Sequence, residues 1–554
     1  MEETEKLEER IEQLKRIIEQ LDRADQVESL LAIEKGIRDR DEYIAQKEEY
    51  IAQLEERLQL SDEKERVYRS RMFGSSSEQT KELDEPVENE TGTQEATNEE
   101  APPRVRGRKL KGKRESELSE LEQERMDHEL PEGERICPVC GSELREIGSE
   151  HVRNELIYVH GHWRARRHYR HNYGCDHCRN HGTEATIVHA PIPLSPIPNS
   201  LWSASAASYI MYEKYINAMP LYRISKALER DGVVLDTALL SRWVIMPVEL
   251  WLVTIFNRMH ELILLEDILH GDETTFQVNK EPGREPHTDS YMWLVRTAWL
   301  AEHPIILYFY FPTRRYENAK EILKEFKGYL LSDGYEAYLN LPEGVINVLC
   351  WYHVRHYFMD ALKAVDKNRR KGSKAEKGIQ FINKLFELER EYTKEGLTPE
   401  ERLRLRLKRS KPISDEFFAW SEEIVNQPKV ALPKSYLGKA VRYALNHRRY
   451  LENFYLDGRL ELSNNRAENS IRPFVIGRKN WLFSDTPGGA KASQVLYSIL
   501  LTAEANGLHP RLYMEYLLKC LPSSKLSELD NFLPWSTSLP DSLRLPVRQC
   551  PSLL

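Results

Sequence analysis

Ser463-Asn-Asn-Arg-Ala-Glu-Asn-Ser-Ile-Arg-Pro-Phe-Val-Ile-Gly-Arg-Lys-Asn-Trp-Leu-Phe483 is the stretch against which the rest of the chain is read. Ser463, Asn464 and Asn465 all suit a helix N-cap, and Arg466-Ala-Glu-Asn-Ser-Ile continues as helix. Glu468 and Arg472 are four residues apart and share one helical face. Pro473 is expected to end the helix, leaving Gly477-Arg-Lys-Asn-Trp-Leu-Phe483 as a basic, aromatic segment suited to phosphate and base contact. Taken alone, Glu468 is a solvated carboxylate between two arginines. Two aspartates upstream, each at the edge of an apolar run, give it another meaning.

Ile268-Leu-His-Gly-Asp272-Glu-Thr-Thr-Phe-Gln-Val278 reads as a strand with Asp272 inside it. Tyr291–Ala298 and Pro304–Phe311 are aromatic and aliphatic strands able to pair antiparallel, and Tyr316 to Phe326 has a helical period. Tyr329-Leu-Leu-Ser-Asp333-Gly334 is a buried strand that ends in an acid and a turn, and Val345–Cys350 is a further strand. That order of three strands, a helix, a strand and a strand, with acids on the first and fourth, matches an RNase H-like layer. A carboxylate in a buried sheet is costly unless it is paired or binds metal. Three acids from two strands and a helix are what a pair of divalent ions requires for phosphoryl transfer. Glu273 beside Asp272 must face the other side of the strand, since side chains alternate. Asp267 and Asp289 are weaker competitors near loop ends.

Upstream, residues 1–73 carry heptads. Leu7, Leu14 and Leu21 recur with Ile11 and Ile18 between them; after a phase shift near Gln26, Leu30, Ile37, Ile44, Ile51 and Leu58 repeat, with Leu54 on the same seam. This pattern calls for a coiled coil and hence a homo-oligomer. Residues 74–130 read as a linker, acidic at first and then basic, with seven cations among Arg104–Arg114. Cys137-Pro-Val-Cys140 and Cys175-Asp-His-Cys178 supply two knuckles of a tetrahedral zinc site within a module at 131–190, and Arg164, Arg166, Arg167 and Arg170 give that module a basic face. Four of the seven cysteines thus serve metal, and no disulfide framework is indicated. Residues 191–262 are helical. Leu221–Val244 has the outline of a helix-turn-helix, with Thr237, Ser241 and Arg242 facing a groove.

A chain of 554 residues is too long for one core, and its net charge of -9 gives no global sign of nucleic-acid binding. No apolar run approaches the ~18 residues of a membrane span, and the acidic N-terminus is not a signal peptide. The expected place is therefore the cytoplasm, at the bacterial nucleoid, with no membrane partner.

Together these features resemble bacterial insertion-sequence transposases of the IS-sixty-six type. The matching elements are the heptads ending in Tyr68-Arg-Ser-Arg-Met-Phe-Gly-Ser-Ser-Ser-Glu78, the two-knuckle module, Pro220-Leu-Tyr-Arg, Asp272-Glu-Thr and Ser332-Asp-Gly-Tyr335. Arg466-Ala-Glu-Asn-Ser-Ile-Arg-Pro, Gly477-Arg-Lys-Asn-Trp-Leu-Phe and Ala503-Glu-Ala-Asn-Gly-Leu-His-Pro complete them. The resemblance selects Asp272 over Glu273 and implies that Asp272, Asp333 and Glu468 are a DDE triad holding Mg²⁺ or Mn²⁺, beside a structural Zn²⁺ at Cys137, Cys140, Cys175 and Cys178. It implies cleavage of transposon ends and strand transfer into target DNA, and leaves room for companion proteins of the same element. Cys350-Trp-Tyr-His353 is similar to a Cys-x-x-His signature found beside such triads, although two ligands make a poor zinc site and Cys350 also suits buried packing at a strand end. Arg242, His353, Arg355, Arg472, Arg478, Lys479 and Trp481 are the candidates for DNA contact.

The expected fold is therefore multidomain α+β: a coiled coil, a zinc-binding module, a helical DNA-binding region, and an RNase H-like catalytic domain with a helical insertion. The catalytic core spans 263–360 and 461–485, a basic helical insertion (361–460, with Arg402–Arg409) lies within it, and helices and a tail occupy 486–554. A non-transposing nuclease on the same fold and a catalytically silent DNA-binding oligomer are the competing readings.

Overall fold

The computed structural model describes residues 2–19, 24–73, 161, 163, 172–174, 187–189, 200–339, 341, 343–427 and 431–545. The chain forms two compact units, Met1–Ser76 with Trp163–Leu554, and Ser77–His162. The linker, the basic arm and all four knuckle cysteines, Cys137, Cys140, Cys175 and Cys178, lie outside the described residues. Of the module expected at 131–190, two short antiparallel strands are described, β1 (Asn172–Gly174) and β2 (Ile187–His189).

Two helices are described in the heptad region, Glu2–Glu19 and Ala24–Phe73, and residues 20–23, just ahead of the phase shift at Gln26, lie outside the described residues. Ile51, Leu54 and Leu58 on the repeating seam are exposed. Near its C-terminal end the long helix meets the rest of its unit: Val67 is buried, Arg66 donates to the Ala364 carbonyl at 3.2 Å, and the Glu63 carboxylate accepts the Tyr436 N–H at 3.1 Å.

In the helical region Leu221–Arg230 is followed by Gly232 (φ +82°) and by Thr237–Pro247, whose first turn is capped by Asp236 accepting from the Leu239 N–H at 2.7 Å. Positive φ at the turn is what makes glycine suitable there. Thr237 and Arg242 are exposed and Ser241 is half-buried. The helix continues through a π-turn into Val253–Ile263. This Thr237–Ile263 stretch is, among the described residues, the one helix long and apolar enough by composition to cross a membrane. Counting uninterrupted apolar runs misses it, because Arg242 and Glu249 break the run while the average stays high. Its Trp243, Val248, Leu252, Phe256 and Met259 are buried in the main core, as expected of a core helix.

The central sheet comprises β3 (Ile268–Val278), β4 (Asp289–Thr297), β5 (Ile306–Phe311), β6 (Gly328–Ser332) and β7 (Val345–Leu349). Helices Tyr316–Ile322 and Glu336–Leu339 precede β6 and β7. Spatially the strands run β5-β4-β3-β6-β7, with β5–β4 and β4–β3 paired antiparallel and β3–β6 and β6–β7 paired parallel. A short β8 (Phe483–Ser484) pairs with the far end of β3.

The outer edge of β5 is closed by side chains. On helix Pro487–Ala505, Thr502 accepts the Ile306 N–H at 3.0 Å, Ser498 that of Tyr308 at 2.8 Å and Gln494 that of Tyr310 at 2.9 Å. The four-residue spacing places all three on one helical face, where they replace the strand that an open edge would otherwise recruit.

One expectation is corrected here. Helix Asn465–Trp481 does not end at Pro473 but runs through it. An interior proline costs about 3 kcal/mol, and burial of Ala467, Ile471, Phe474 and Gly477 along the helix outweighs that cost. Within the basic Arg402–Arg409 stretch, Arg402 and Arg406 are buried. Arg406 is fully buried and donates to both Glu389 carboxylate oxygens at 2.7 and 2.6 Å and to the carbonyls of Phe454, Asp457 and Leu460. Arg402 is buried beside it, and Arg409 pairs with Glu391 at 2.6 Å. These arginines knit together an insertion with its own aromatic core of Phe358, Phe381, Phe417, Trp420 and Phe454. The same cluster takes in Trp351 on helix Trp351–Ala364 and, from the sheet, Ile268, Leu331, Val348 and Leu349.

Candidate active site

Alternation along β3 sorts its polar residues to two faces. On one face a Cβ at Gly271 would meet the Tyr338 ring at 3.3 Å, and Glu273 forms an ion pair with Arg314, whose guanidinium lies 3.5 Å from the Tyr335 ring centre. On the other face His270 and Asp272 look toward helix Asn465–Trp481. Asp272 Oδ1 accepts the Glu273 N–H at 2.9 Å, its only hydrogen bond among the described residues.

Asp333 stands one residue beyond β6, not inside it. The parallel register pairs Ile268 with Tyr329 and His270 with Leu331, and its continuation brings Asp333 level with Asp272. Gly334 at φ +85° turns the chain, Asp333 Oδ1 accepts the Tyr335 N–H at 2.9 Å, and the Asp333 carbonyl accepts the Tyr443 hydroxyl at 2.8 Å. Glu468 lies in the first turn of helix Asn465–Trp481, and its Oε1 is buried without a hydrogen-bond partner. It stands 4.0 Å from His353 Nε2; Arg472 is exposed and Arg466 is paired instead with Glu461 at 2.7 Å.

Burial pushes the Asp272 carboxyl well above the usual carboxylate range, and the charges of Glu273, Asp333 and Glu468 push it further. Mutually repelling acids with an unpartnered buried oxygen, and no lysine or arginine bonded to Asp272 or Glu468 among the described residues, form an oxygen donor set that fits a hard divalent cation.

Cys350 Sγ, a His353 ring nitrogen and a Glu468 carboxylate oxygen lie within 4.8 Å of one another. The thiol is fully buried, which pushes it up to about 12, and its sulfur accepts the Asn464 N–H at 3.1 Å. Cys350 is thus held as a hydrogen-bond acceptor at the end of β7, in keeping with strand-end packing.

The candidates for DNA contact separate. Arg472 and Lys479 are exposed on helix Asn465–Trp481, and Arg478 reaches the hydroxyls of Thr274 and Thr275 at 3.3 Å. Arg242 is exposed on the helix after Gly232. His353 turns toward Glu468, and Arg355 donates to Asn383 in the insertion at 2.8 Å. Trp481 is half-buried against Phe474, where a Cβ on Gly477 would come within 2.9 Å of its indole nitrogen; Leu482 and Phe483 are the exposed apolar residues at that corner.

Sequence reasoning passed over His270, Glu461, Tyr443 and Arg296, and read Asn464 only as a cap candidate. Arg296 on β4 donates to the Ser470 hydroxyl at 2.7 Å and so ties the Glu468 helix to the sheet. The one available signal was His270, two residues before Asp272 and hence on its face.

Residues 199–492, more than half of the chain, match the family described as Transposase IS66 family, and residues 134–179, which include all four knuckle cysteines, match the zinc-finger binding domain of transposase IS66. The chain therefore carries a structural zinc-binding domain. Among similar proteins are the uncharacterized protein y4jD of Sinorhizobium fredii (strain NBRC 101917 / NGR234), 27% identical over 73% of this chain and 78% of its own length, and y4qI of the same strain, 30% identical over 64% of this chain and 66% of its own. With residues 199–492 covered by that match, the chain belongs to the IS66 family of transposases.

Proposed function

We propose that the chain is a DDE transposase that cleaves DNA at transposon ends and joins the freed 3′-hydroxyl to target DNA, with Asp272, Asp333 and Glu468 as its catalytic triad on an RNase H-like core. The observation that carries this reading is the shared field of the three acids: Asp272 is pushed up by burial and by the charges of Glu273, Asp333 and Glu468, while Glu468 Oε1 is left without a partner. The strand order β5-β4-β3-β6-β7 supports the RNase H-like assignment.

Asp272, Asp333 and Glu468 would hold two Mg²⁺ or Mn²⁺ ions; bound there, the ions would activate a water or hydroxyl and offset charge at phosphorus. The protein's part is to keep the donors still. Asp272 rides on the central strand, and Asp333 is held by the Tyr335 N–H and the Tyr443 hydroxyl. Glu468 rides on a helix tied to β4 through Arg296. Glu273 is drawn to the other face by Arg314, which keeps it out of the donor set.

Exposed Arg472, Lys479 and Arg242, with Arg478 beside β3, would take DNA phosphates. Cys137, Cys140, Cys175 and Cys178 would ligate the zinc. The exposed seam of Ile51, Leu54 and Leu58 would pair with a second copy of the chain, so a protein lacking residues 1–73 should sediment as a smaller species, and an unchanged oligomer would refute that role. The protein would act at the nucleoid.

Incubation with labelled element ends, target DNA and Mg²⁺ tests the reading. Strand-transfer products are expected. Cleavage without joining would favour a nuclease on this fold, and binding without cleavage would leave a silent DNA-binding oligomer.

A further inference from the structure

Asn464 has an environment that a helix cap does not need. It is fully buried just before helix Asn465–Trp481, and its side chain makes no capping bond to that helix. Each of its four polar groups is used. Its carbonyl accepts the Glu468 N–H at 3.1 Å, and its N–H is donated to Cys350 Sγ at 3.1 Å. Its Nδ2 donates to the Gly271 carbonyl at 2.8 Å, and its Oδ1 lies 3.1 Å from His270 Nδ1.

Those partners sit on separate elements. Gly271 and His270 are the two residues before Asp272 on β3. Cys350 closes β7 and opens the helix that carries His353. Glu468 is the acid of the helix itself. Two neighbours brace the same joint: Glu461 lies 3.0 Å from His270 Nε2, and the Leu462 carbonyl accepts the Trp351 N–H at 3.0 Å. A fully buried amide with both ends bonded has one orientation, and moving it would strand polar groups on several elements at once.

We propose that Asn464 is a positioning residue that sets the distance between the Asp272 strand and the Glu468 helix, and so fixes the spacing of the metal-binding carboxylates. The proposal rests on the triad reading above. Partners behind metal ligands typically change metal affinity or activity by about 10- to 100-fold when lost.

The test uses the full chain and the variants Asn464→Ala, Asn464→Asp and Asp272→Ala. Asn464→Asp keeps size and the acceptor toward His270 but loses the donor toward Gly271. Free Mn²⁺ is measured by electron paramagnetic resonance without DNA, alongside thermal melting, end binding and end cleavage over a range of Mg²⁺. Asn464→Ala should melt cooperatively and bind ends like the parent, yet bind Mn²⁺ about tenfold more weakly and need correspondingly more Mg²⁺ to cleave. Asn464→Asp should fall between the two. A merely structural asparagine would lower the melting temperature without moving the metal titration, and that result overturns the proposal. So does loss of cooperative melting in both Asn464 variants, which would make the residue a determinant of folding and not of spacing. If Asp272→Ala is inactive while Asn464→Ala matches the parent, the positioning role alone falls; if Asp272→Ala still binds Mn²⁺ and cleaves, the triad reading falls and takes the positioning role with it.

Discussion

Asp272 and Glu273 are adjacent in β3, yet only Glu273 has a cationic partner: Arg314 holds it on one face, while Asp272 on the other meets the charges of Asp333 and Glu468. One carboxylate is neutralised by the fold, and the other is left for something the protein must bind.

That difference predicts a pH-dependent response to metal. The folded-state pKa of Asp272 is raised, so the folded chain holds its proton more tightly than the unfolded chain does. Without metal, its contribution to stability is therefore lost as pH rises above the ordinary carboxylate value and through the raised one. Asp272→Asn should melt higher than the parent at neutral pH without metal. Mg²⁺ should raise the parent's melting temperature more at pH 8 than at pH 5 and should leave the variant's almost unmoved. An equal Mg²⁺ response in parent and variant would contradict the account.

Glu461 titrates in the opposite sense. Burial alone would raise it, but His270 and Arg466 together hold it down to about 2. A lowered acid stabilises the fold above its ordinary value of 4.5 and loses that contribution as pH falls toward 2. Glu461→Gln should thus cost on the order of 3 kcal/mol at pH 7, with the gap to the parent closing in acid. Urea melts at several pH values check this, and a gap that stays constant with pH would refute it.

In the insertion, Arg406 is the joint. Glu389→Ala would leave its buried guanidinium without a counter-charge, at a cost of about 3–5 kcal/mol. Arg409, whose pair with Glu391 is exposed, should tolerate Ala with little loss of stability. Thermal unfolding of the two variants should separate them clearly.

The strand pattern was legible in the sequence because the apolar runs around Asp272 and Asp333 are short, rich in aromatic and branched residues, and bounded by turns. The face of Asp272 followed from alternation once Glu273 was set aside. Pro473 misled because a local rule for helix ends cannot weigh the burial of Ile471 and Phe474 around it. The burial of Arg406 was not legible because its partners, Glu389 and the carbonyls of 454–460, are far away or belong to the backbone. Asn464 was read as a cap, since nothing in the sequence brings Gly271 and Cys350 to it.

The zinc domain gives a prediction of its own. Protein purified without chelator should contain zinc, and Cys137→Ser should lower both the zinc content and the protease resistance of residues 131–190, since thiolate ligation couples metal to local folding. Unchanged zinc content in Cys137→Ser would reassign the ligands.

The central claim is that Asp272, Asp333 and Glu468 act as one metal-binding unit, and end cleavage by single variants in Mg²⁺ tests it most directly. The account predicts that Asp272→Ala, Asp333→Ala and Glu468→Ala each abolish cleavage while retaining end binding, that combining them costs little more, and that Glu273→Gln lowers stability but still cleaves. Near-normal cleavage by Glu468→Ala, or a Glu273→Gln variant that folds and is as inactive as Asp272→Ala, would contradict it.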